Sequence, residues 1–131
     1  MPTILHTEAS LGLGGQELRI VAESRWLREH GWGALIACQP GSRLFAEARA
    51  SATDASAVRM RGAVDLGALW ALRRLMRARG VDLVHTHSST DSWLGALAAK
   101  SLGLPVVRSR HVSIAIRSAL VYRLEIGRAH V

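Results

Sequence analysis

The chain has 131 residues, a length that suits one domain of ordinary size and is short for two. Hydrophobic residues make up 49% of it and charged residues 21%, which allows a packed core and argues against a disordered chain. Lys and Arg total 17 against 10 Asp and Glu, a net charge of +7, and the single cysteine excludes an intrachain disulfide or a cysteine-rich metal site. No apolar run reaches the roughly 18–20 residues that span a bilayer, and no signal peptide is recognised, so we expect a cytoplasmic protein.

The basic excess consists almost entirely of arginine, with Lys100 as the only lysine. Most of these arginines fall on predicted helices, and none of the six aromatic residues lies in a basic cluster that resembles a base-stacking platform. The distribution therefore favours a solvated or membrane-facing basic surface over a nucleic-acid site.

Short apolar runs alternate with longer helical stretches along the chain. The predicted strands cover residues 3–6, 34–38, 57–60, 81–85 and 106–108. The predicted helices cover residues 16–30, 43–50, 66–79 and 91–102, and a last helical piece starts near residue 116. This alternation predicts the α/β class: a Rossmann-like open parallel sheet with helices on both faces, whose ligands are expected at the carboxyl ends of the strands.

A glycine-rich loop follows the first predicted strand, in the stretch GLGGQE at residues 12–17. Glycines at such a place let backbone N–H groups approach a phosphate at a helix N-terminus. The spacing departs from the dinucleotide fingerprint, since Glu17 stands where Gly or Ala is required, and it lacks the Gly-Lys-Ser/Thr of a P-loop. The alternative is a tight turn without a ligand.

Two histidines mark the loop after the fourth predicted strand. His85 and His87 point to the same face of a strand, but no third ligand at a known spacing accompanies them, so no metal site is predicted. His85 is interpreted as a core histidine that a neighbour satisfies, and His87 as a candidate general base or oxyanion stabiliser. The polar residues 88–91 that follow are also typical of a helix cap.

The loop after the fifth predicted strand carries Arg110 and His111. Such a donor-rich pair suits a phosphate or a sugar ring, and exposed loop charges are the alternative.

Taken together, these loops resemble one family. The segments 4–9 and 14–17, then 81–93, then 107–113 are similar to the N-terminal domain of family 4 retaining glycosyltransferases of GT-B type. The resemblance covers residues 3–124 and is strongest to members that act in lipopolysaccharide and cell-surface polysaccharide assembly.

The resemblance implies two Rossmann-like domains that face a cleft, where a nucleotide-sugar donor meets a glycan or lipid-linked acceptor. It implies no metal and no cofactor besides the donor, and a location on or near the anionic cytoplasmic face of the bacterial inner membrane. His87 is the catalytic candidate, in contact with the transferred sugar. The residues expected to bind substrate are Gly14, Gly15, Gln16, Glu17, Ser88, Arg110 and His111.

The resemblance also predicts how the chain is organised. Residues 1–124 are expected to form part of the acceptor-side domain, inactive without the donor-binding domain, and residues 125–131 resemble a translated sequencing adapter and hence a non-native tail. A small flavodoxin-like binding or regulatory module stays as the alternative function. A nicotinamide dehydrogenase is disfavoured because the second predicted strand ends on Cys38 and Gln39 instead of an acidic residue.

Overall fold

The computed structural model describes residues 2–12, 14–108, 122–123 and 126. Within them strands and helices alternate, and no helix is both long and apolar enough to cross a bilayer. The elements are β1 (Thr3–Glu8), α1 (Gly15–Glu29), β2 (Gly33–Cys38), α2 (Arg43–Ala50), β3 (Ala55–Ala57), α3 (Leu66–Ala78), β4 (Leu83–Thr86), α4 (Ser89–Ser101) and β5 (Val106–Arg108).

The five strands form one parallel sheet in the order β3-β2-β1-β4-β5. The chain builds outward from β1 to β3 and then crosses back to place β4 on the other side of β1. The strand order therefore reverses between β1 and β4, and in open α/β sheets ligands bind outside the carboxyl ends of the strands at such a point. The predicted Rossmann-like fold is confirmed.

Helices cover both faces of the sheet. On one face α3 and α4 pack on Leu5 and Val84, and on the other α1 and α2 pack on Ile4 and Ile36. Because side chains alternate along a strand, the polar residues near the carboxyl ends of β1 and β4 also divide between the two faces. His6 joins the face of α1, and Thr7 joins the face of α4.

Several helices begin and end at the predicted capping residues and glycines. Ser42 caps α2 by accepting a hydrogen bond from the Phe45 N–H, and Asp65 caps α3 by accepting one from the Ala68 N–H. After α1 and α3 the chain turns through Gly31 and Gly80, whose φ angles of 84° and 61° favour glycine.

Several predicted boundaries are wrong. The first strand ends at Glu8 instead of residue 6, and the fourth covers Leu83–Thr86 instead of residues 81–85. The third strand covers Ala55–Ala57 instead of residues 57–60, because its register pairs it with the last three residues of β2. Met60 lies past the ladder, where the Gln39 side chain bonds both its N–H and its carbonyl. Helix α4 starts at Ser89 instead of residue 91, because Asp91 acts from its third position as part of the cap. The helix predicted near residue 116 lies outside the described residues.

Candidate active site at the carboxyl edge of the sheet

Three histidines converge beside the point where the strand order reverses. His6 of β1 and His85 of β4 are partners in the parallel register, and His87 follows two residues later on the same face. The ring centroids of His6 lie 5.1 Å from His85 and 5.2 Å from His87, and those of His85 and His87 are 4.2 Å apart. His6 is 0% exposed and His85 3%, so the cluster lies under the protein surface, with His87 as its partly exposed end.

The cluster is tied to its surroundings on one nitrogen of each ring. His6 Nδ1 and His87 Nε2 share a hydrogen bond of 2.9 Å. His85 Nδ1 is hydrogen-bonded to the hydroxyl of Tyr122, which in turn donates to the carboxylate of Glu23 on α1. The predicted role of His85 as a core histidine with a satisfying neighbour is confirmed for this nitrogen.

The second nitrogen of each ring has no hydrogen-bond partner among the described residues. These atoms are His6 Nε2, His85 Nε2 and His87 Nδ1, and all three are buried. Buried polar atoms are nearly always paired, so three unpaired ones in a single cluster mark it as unusual.

All three rings are neutral at neutral pH. Burial lowers the pKa of His6 to about 3. Burial, with His6 as a second cause, lowers the pKa of His85 to about 3. Burial also holds the pKa of His87 well below its usual value, helped by the two neighbouring histidines. A neutral imidazole has one donor and one acceptor nitrogen. The rings can therefore donate a hydrogen bond to a hydroxyl group, accept one from it, or ligate a metal ion.

The glycine-rich loop lies next to His87. Gln16, in the first turn of α1, donates from Nε2 to Glu8 Oε1 at 2.6 Å and to the His87 carbonyl at 3.2 Å. Glu17 Oε2 accepts from the Gly14 N–H at 2.9 Å, so this glycine amide is satisfied within the chain. The structure therefore brings the predicted loop and His87 together, with Gln16 as the link.

A carboxylate ends β1 at the same place. Glu8 accepts from Gln16 and from the Ser10 N–H at 3.1 Å. Burial raises the pKa of this carboxyl, and the nearby Asp91 raises it further. Two carboxylates, Glu8 and Glu17, thus lie at the loop that was predicted to approach a phosphate, and both accept hydrogen bonds from groups of the chain itself.

Ser88 is engaged in the cap of α4. Its N–H donates to Asp91 Oδ1 at 2.9 Å, and its hydroxyl donates to the same oxygen. Asp91 also accepts from the His87 N–H at 2.9 Å and from the Thr7 hydroxyl at 2.7 Å. The capping interpretation of this segment is confirmed, and the cap fixes the backbone of His87.

Some residues of the site were not singled out from the sequence. His6, Glu23 and Tyr122 belong to the cluster, whereas Arg110 and His111 lie outside the described residues. His6 lies 79 positions before His85 in the sequence, and only the parallel register of β1 with β4 brings the two together. Since Glu23 and Tyr122 are 99 positions apart, no local pattern links them.

Comparisons with known proteins agree with this architecture. The family model "Glycosyltransferase Family 4" matches residues 13–130. MurG of Acinetobacter baumannii superposes with a TM-score of 0.67 at 18% identity, over 98% of this chain and 39% of its own. A glycosyltransferase of Rickettsia africae gives 0.68 at 19% identity, over 90% of this chain and 33% of its own.

A third similar structure was solved with ligands. HepE of Anabaena, in complex with UDP and glucose, superposes with a TM-score of 0.65 at 17% identity, over 81% of this chain and 29% of its own. The chain thus spans between about three-tenths and two-fifths of the length of these three proteins. A search of curated protein sequences finds no match.

Proposed function

Since the chain belongs to glycosyltransferase family 4, we propose that it forms the acceptor-side part of a GT-B enzyme that transfers a sugar from a nucleotide-sugar donor. The acceptor is a lipid-linked or polysaccharide glycan of the kind used in lipopolysaccharide assembly, and the anomeric configuration is retained. The observation that carries the proposal is the position of the histidine cluster at the reversal between β1 and β4, within a chain that the family model matches over residues 13–130. The family match favours this enzyme over a flavodoxin-like module.

His87 is the residue we assign to the transferred sugar. Its ring is held by His6, its N–H by Asp91 and its carbonyl by Gln16, so its position is fixed from three sides. Nδ1 has no hydrogen-bond partner among the described residues and can bond a sugar hydroxyl in either tautomer, but the atom is buried, so the sugar reaches it only after the groups that cover it move. A group fixed in this way contributes by positioning the sugar for attack, with no reorganisation at the moment of reaction.

The loop around Gly14 and Gly15 is assigned to the nucleotide-sugar donor in the same site. Helix α1 begins at Gly15, so its positive end faces the carboxyl edge of the sheet. Gln16 couples this loop to His87 through its bond to the His87 carbonyl. Glu17, which holds the Gly14 N–H, must release or share that amide when a phosphate approaches. Arg110, His111 and Ser88 complete the proposed substrate contacts, and the transfer itself uses no metal and no cofactor besides the donor.

The exposed side of α3 is proposed to contact an anionic membrane surface. Trp70 is 60% exposed, and the Arg73 guanidinium lies 5.3 Å from its ring centroid. Arg74 and Arg77 line the same shallow cleft of about 470 Å³. An amphipathic aromatic side chain beside several arginines suits the interface of a bilayer that carries negative headgroups.

The membrane contact is tested by sedimentation with vesicles. We expect binding to vesicles that contain phosphatidylglycerol and little binding to pure phosphatidylcholine, with a loss at high salt. Replacing Arg74 and Arg77 by Glu weakens this binding, whereas the control of equal charge change, Arg43→Glu with Arg49→Glu on α2, does not. Equal binding by the two variants would remove α3 from the proposal.

The enzymatic proposal is tested on the complete protein that contains this chain. The purified enzyme is incubated with UDP-, GDP- and dTDP-sugars and a glycan or lipid-linked acceptor, and product formation is followed by mass spectrometry. Nuclear magnetic resonance of the new anomeric proton then decides between retention and inversion. Transfer with retention is the expected result, and release of free sugar without any transfer to an acceptor would contradict it.

A further inference from the structure

The histidine cluster has a feature that sugar contact by His87 does not use. Among the residues that the structure describes, His6, His85 and His87 form a group whose ligand atoms, one from each residue, all lie within 4.8 Å of one another. Each ring also keeps one buried nitrogen without a hydrogen-bond partner in the described part of the chain. A buried unpaired polar atom calls for an explanation, and for His85 Nε2 a bound ion is one of the few available. His6 and His87 would offer the ion their Nδ1 and Nε2 atoms, which share a hydrogen bond in this structure.

The arrangement is of the size that a metal ion needs. His6 Nδ1 and His87 Nε2 already approach to 2.9 Å, and the ring centroids of His6 and its two partners are separated by 5.1 and 5.2 Å. Zinc binds imidazole nitrogens at about 2.0–2.1 Å, so two nitrogens on one ion lie about 3.3 Å apart. The separation of His6 Nδ1 and His87 Nε2 is therefore within about 0.4 Å of the value that a shared zinc ion requires.

The surroundings of His85 also match those of a metal ligand. A ligating histidine usually donates its other ring N–H to a carboxylate, a backbone carbonyl or a water, which fixes the tautomer and the ring orientation. Here His85 Nδ1 is bonded to the Tyr122 hydroxyl, and that hydroxyl is bonded to Glu23. This leaves His85 Nε2 as the nitrogen that can face an ion.

We propose that His6, His85 and His87 bind one divalent transition-metal ion of the zinc class. Three neutral imidazoles without a thiolate suit Zn²⁺ and the neighbouring metals, and they do not suit Mg²⁺ or Ca²⁺, which require oxygen ligands. One consequence rests on the proposed function: the ion takes the ring that is assigned to the sugar, so zinc inhibits the transfer and a chelator restores it. The binding itself is independent of that function.

The test measures zinc alone on the full chain, by equilibrium dialysis followed by elemental analysis. All variants carry His111→Gln and His130→Gln, so that His30 is the only other histidine. We expect one zinc ion per chain in this background and in the matched control His30→Gln, whose histidine is exposed at the end of α1. His6→Gln and His87→Gln are each expected to weaken zinc binding at least tenfold, and Tyr122→Phe about 10–100-fold.

Two further measurements test the zinc site. Co²⁺ in place of zinc gives visible absorption of a tetrahedral site in the control, and this absorption is lost in His87→Gln. Circular dichroism checks that each variant is folded. Should the variants of the more deeply buried His6 or His85 fail to fold, the zinc binding of His87→Gln is the deciding result. Absence of stoichiometric zinc binding, or equal binding by His87→Gln and His30→Gln, would overturn the proposal while leaving the transfer reaction untouched.

Discussion

On its two faces the centre of the sheet carries two buried polar clusters that differ in how their atoms are satisfied. On the α4 face the Thr7 hydroxyl donates to Asp91 at 2.7 Å, and the Ser92 hydroxyl donates to Thr86 at 3.1 Å. On the α1 face three histidine nitrogens have no partner among the described residues. Both clusters come from the same two strands, one residue apart. Burial is common to both clusters, and only the histidine cluster keeps unused hydrogen-bonding capacity, which makes it the candidate ligand site.

The two faces also differ in how closely their helices approach. A Cβ on Gly95 of α4 would lie 3.0 Å from the Thr86 Cγ2 and 3.4 Å from the Thr7 Oγ1, so α4 rests directly on the strands. On the other face the space above the same strands is filled by the histidine rings and Tyr122. We infer that the α4 face fixes the backbone and that the α1 face presents the reactive groups.

The largest loss of stability is expected when the acceptor at the centre of the cluster on the α4 face is removed. Asp91→Ala removes a fully buried carboxylate that the Thr7 hydroxyl and the N–H groups of His87 and Ser88 all bond. We expect the free energy of unfolding to fall by about 3 kcal/mol or more, because several buried donors lose their acceptor. Urea unfolding measures this, with Ser89→Ala, an exposed position of the same turn, as the control.

The histidine face is expected to respond to pH. A histidine whose pKa is lowered by folding takes up a proton more readily in the unfolded chain, whose histidine pKa is about 6.5. The free energy of unfolding is therefore at its full value above pH 6.5 and falls as the pH decreases toward the folded pKa. With the pKa of His6 at about 3, each such histidine costs about 1.4 kcal/mol between pH 7.5 and pH 5.5. Urea unfolding with a chelator present checks this, and His6→Gln is expected to depend less steeply on pH than the unchanged chain. Parallel curves would show that the pKa of His6 is not lowered in the folded protein.

A smaller effect is expected from Thr7→Val on the satisfied face. The substitution keeps the shape of the side chain and removes one donor to Asp91, which retains its bonds from the backbone. The free energy of unfolding should fall by about 1 kcal/mol, as for the loss of one hydrogen bond. A loss as large as that of Asp91→Ala would show that the cluster depends on this hydroxyl.

The sequence predicts most of the fold because most of its strands and helices have a recognisable local sequence pattern. Apolar runs predict β1, β2, β4 and β5, and capping residues such as Ser42 and Asp65 predict the helix starts. The strand β3 is different, since its three residues, ASA, have no apolar pattern and its position depends on the register with β2. A short edge strand of this kind is determined by its neighbour and not by its own composition.

Only half of the candidate site could be predicted in the same way. His87 and the loop of Gly14 and Gly15 are visible because they follow strands directly. His6 reaches the site through the pairing of β1 with β4, and Tyr122 reaches it from 37 positions beyond His85. Contacts of that range require the order of the strands, which the local pattern of residues does not contain.

We expect the α1 face of the sheet to hold the ligand and the α4 face to stabilise the fold. In the complete enzyme, kcat/KM and the unfolding free energy are compared for His87→Ala and Thr7→Val. We expect His87→Ala to lower kcat/KM by about 10²–10⁴ with little change in stability, and Thr7→Val to lower stability with little change in kcat/KM. If His87→Ala keeps more than about a third of kcat/KM, a loss below roughly 0.7 kcal/mol, the histidine face does not hold the substrate and the account is contradicted.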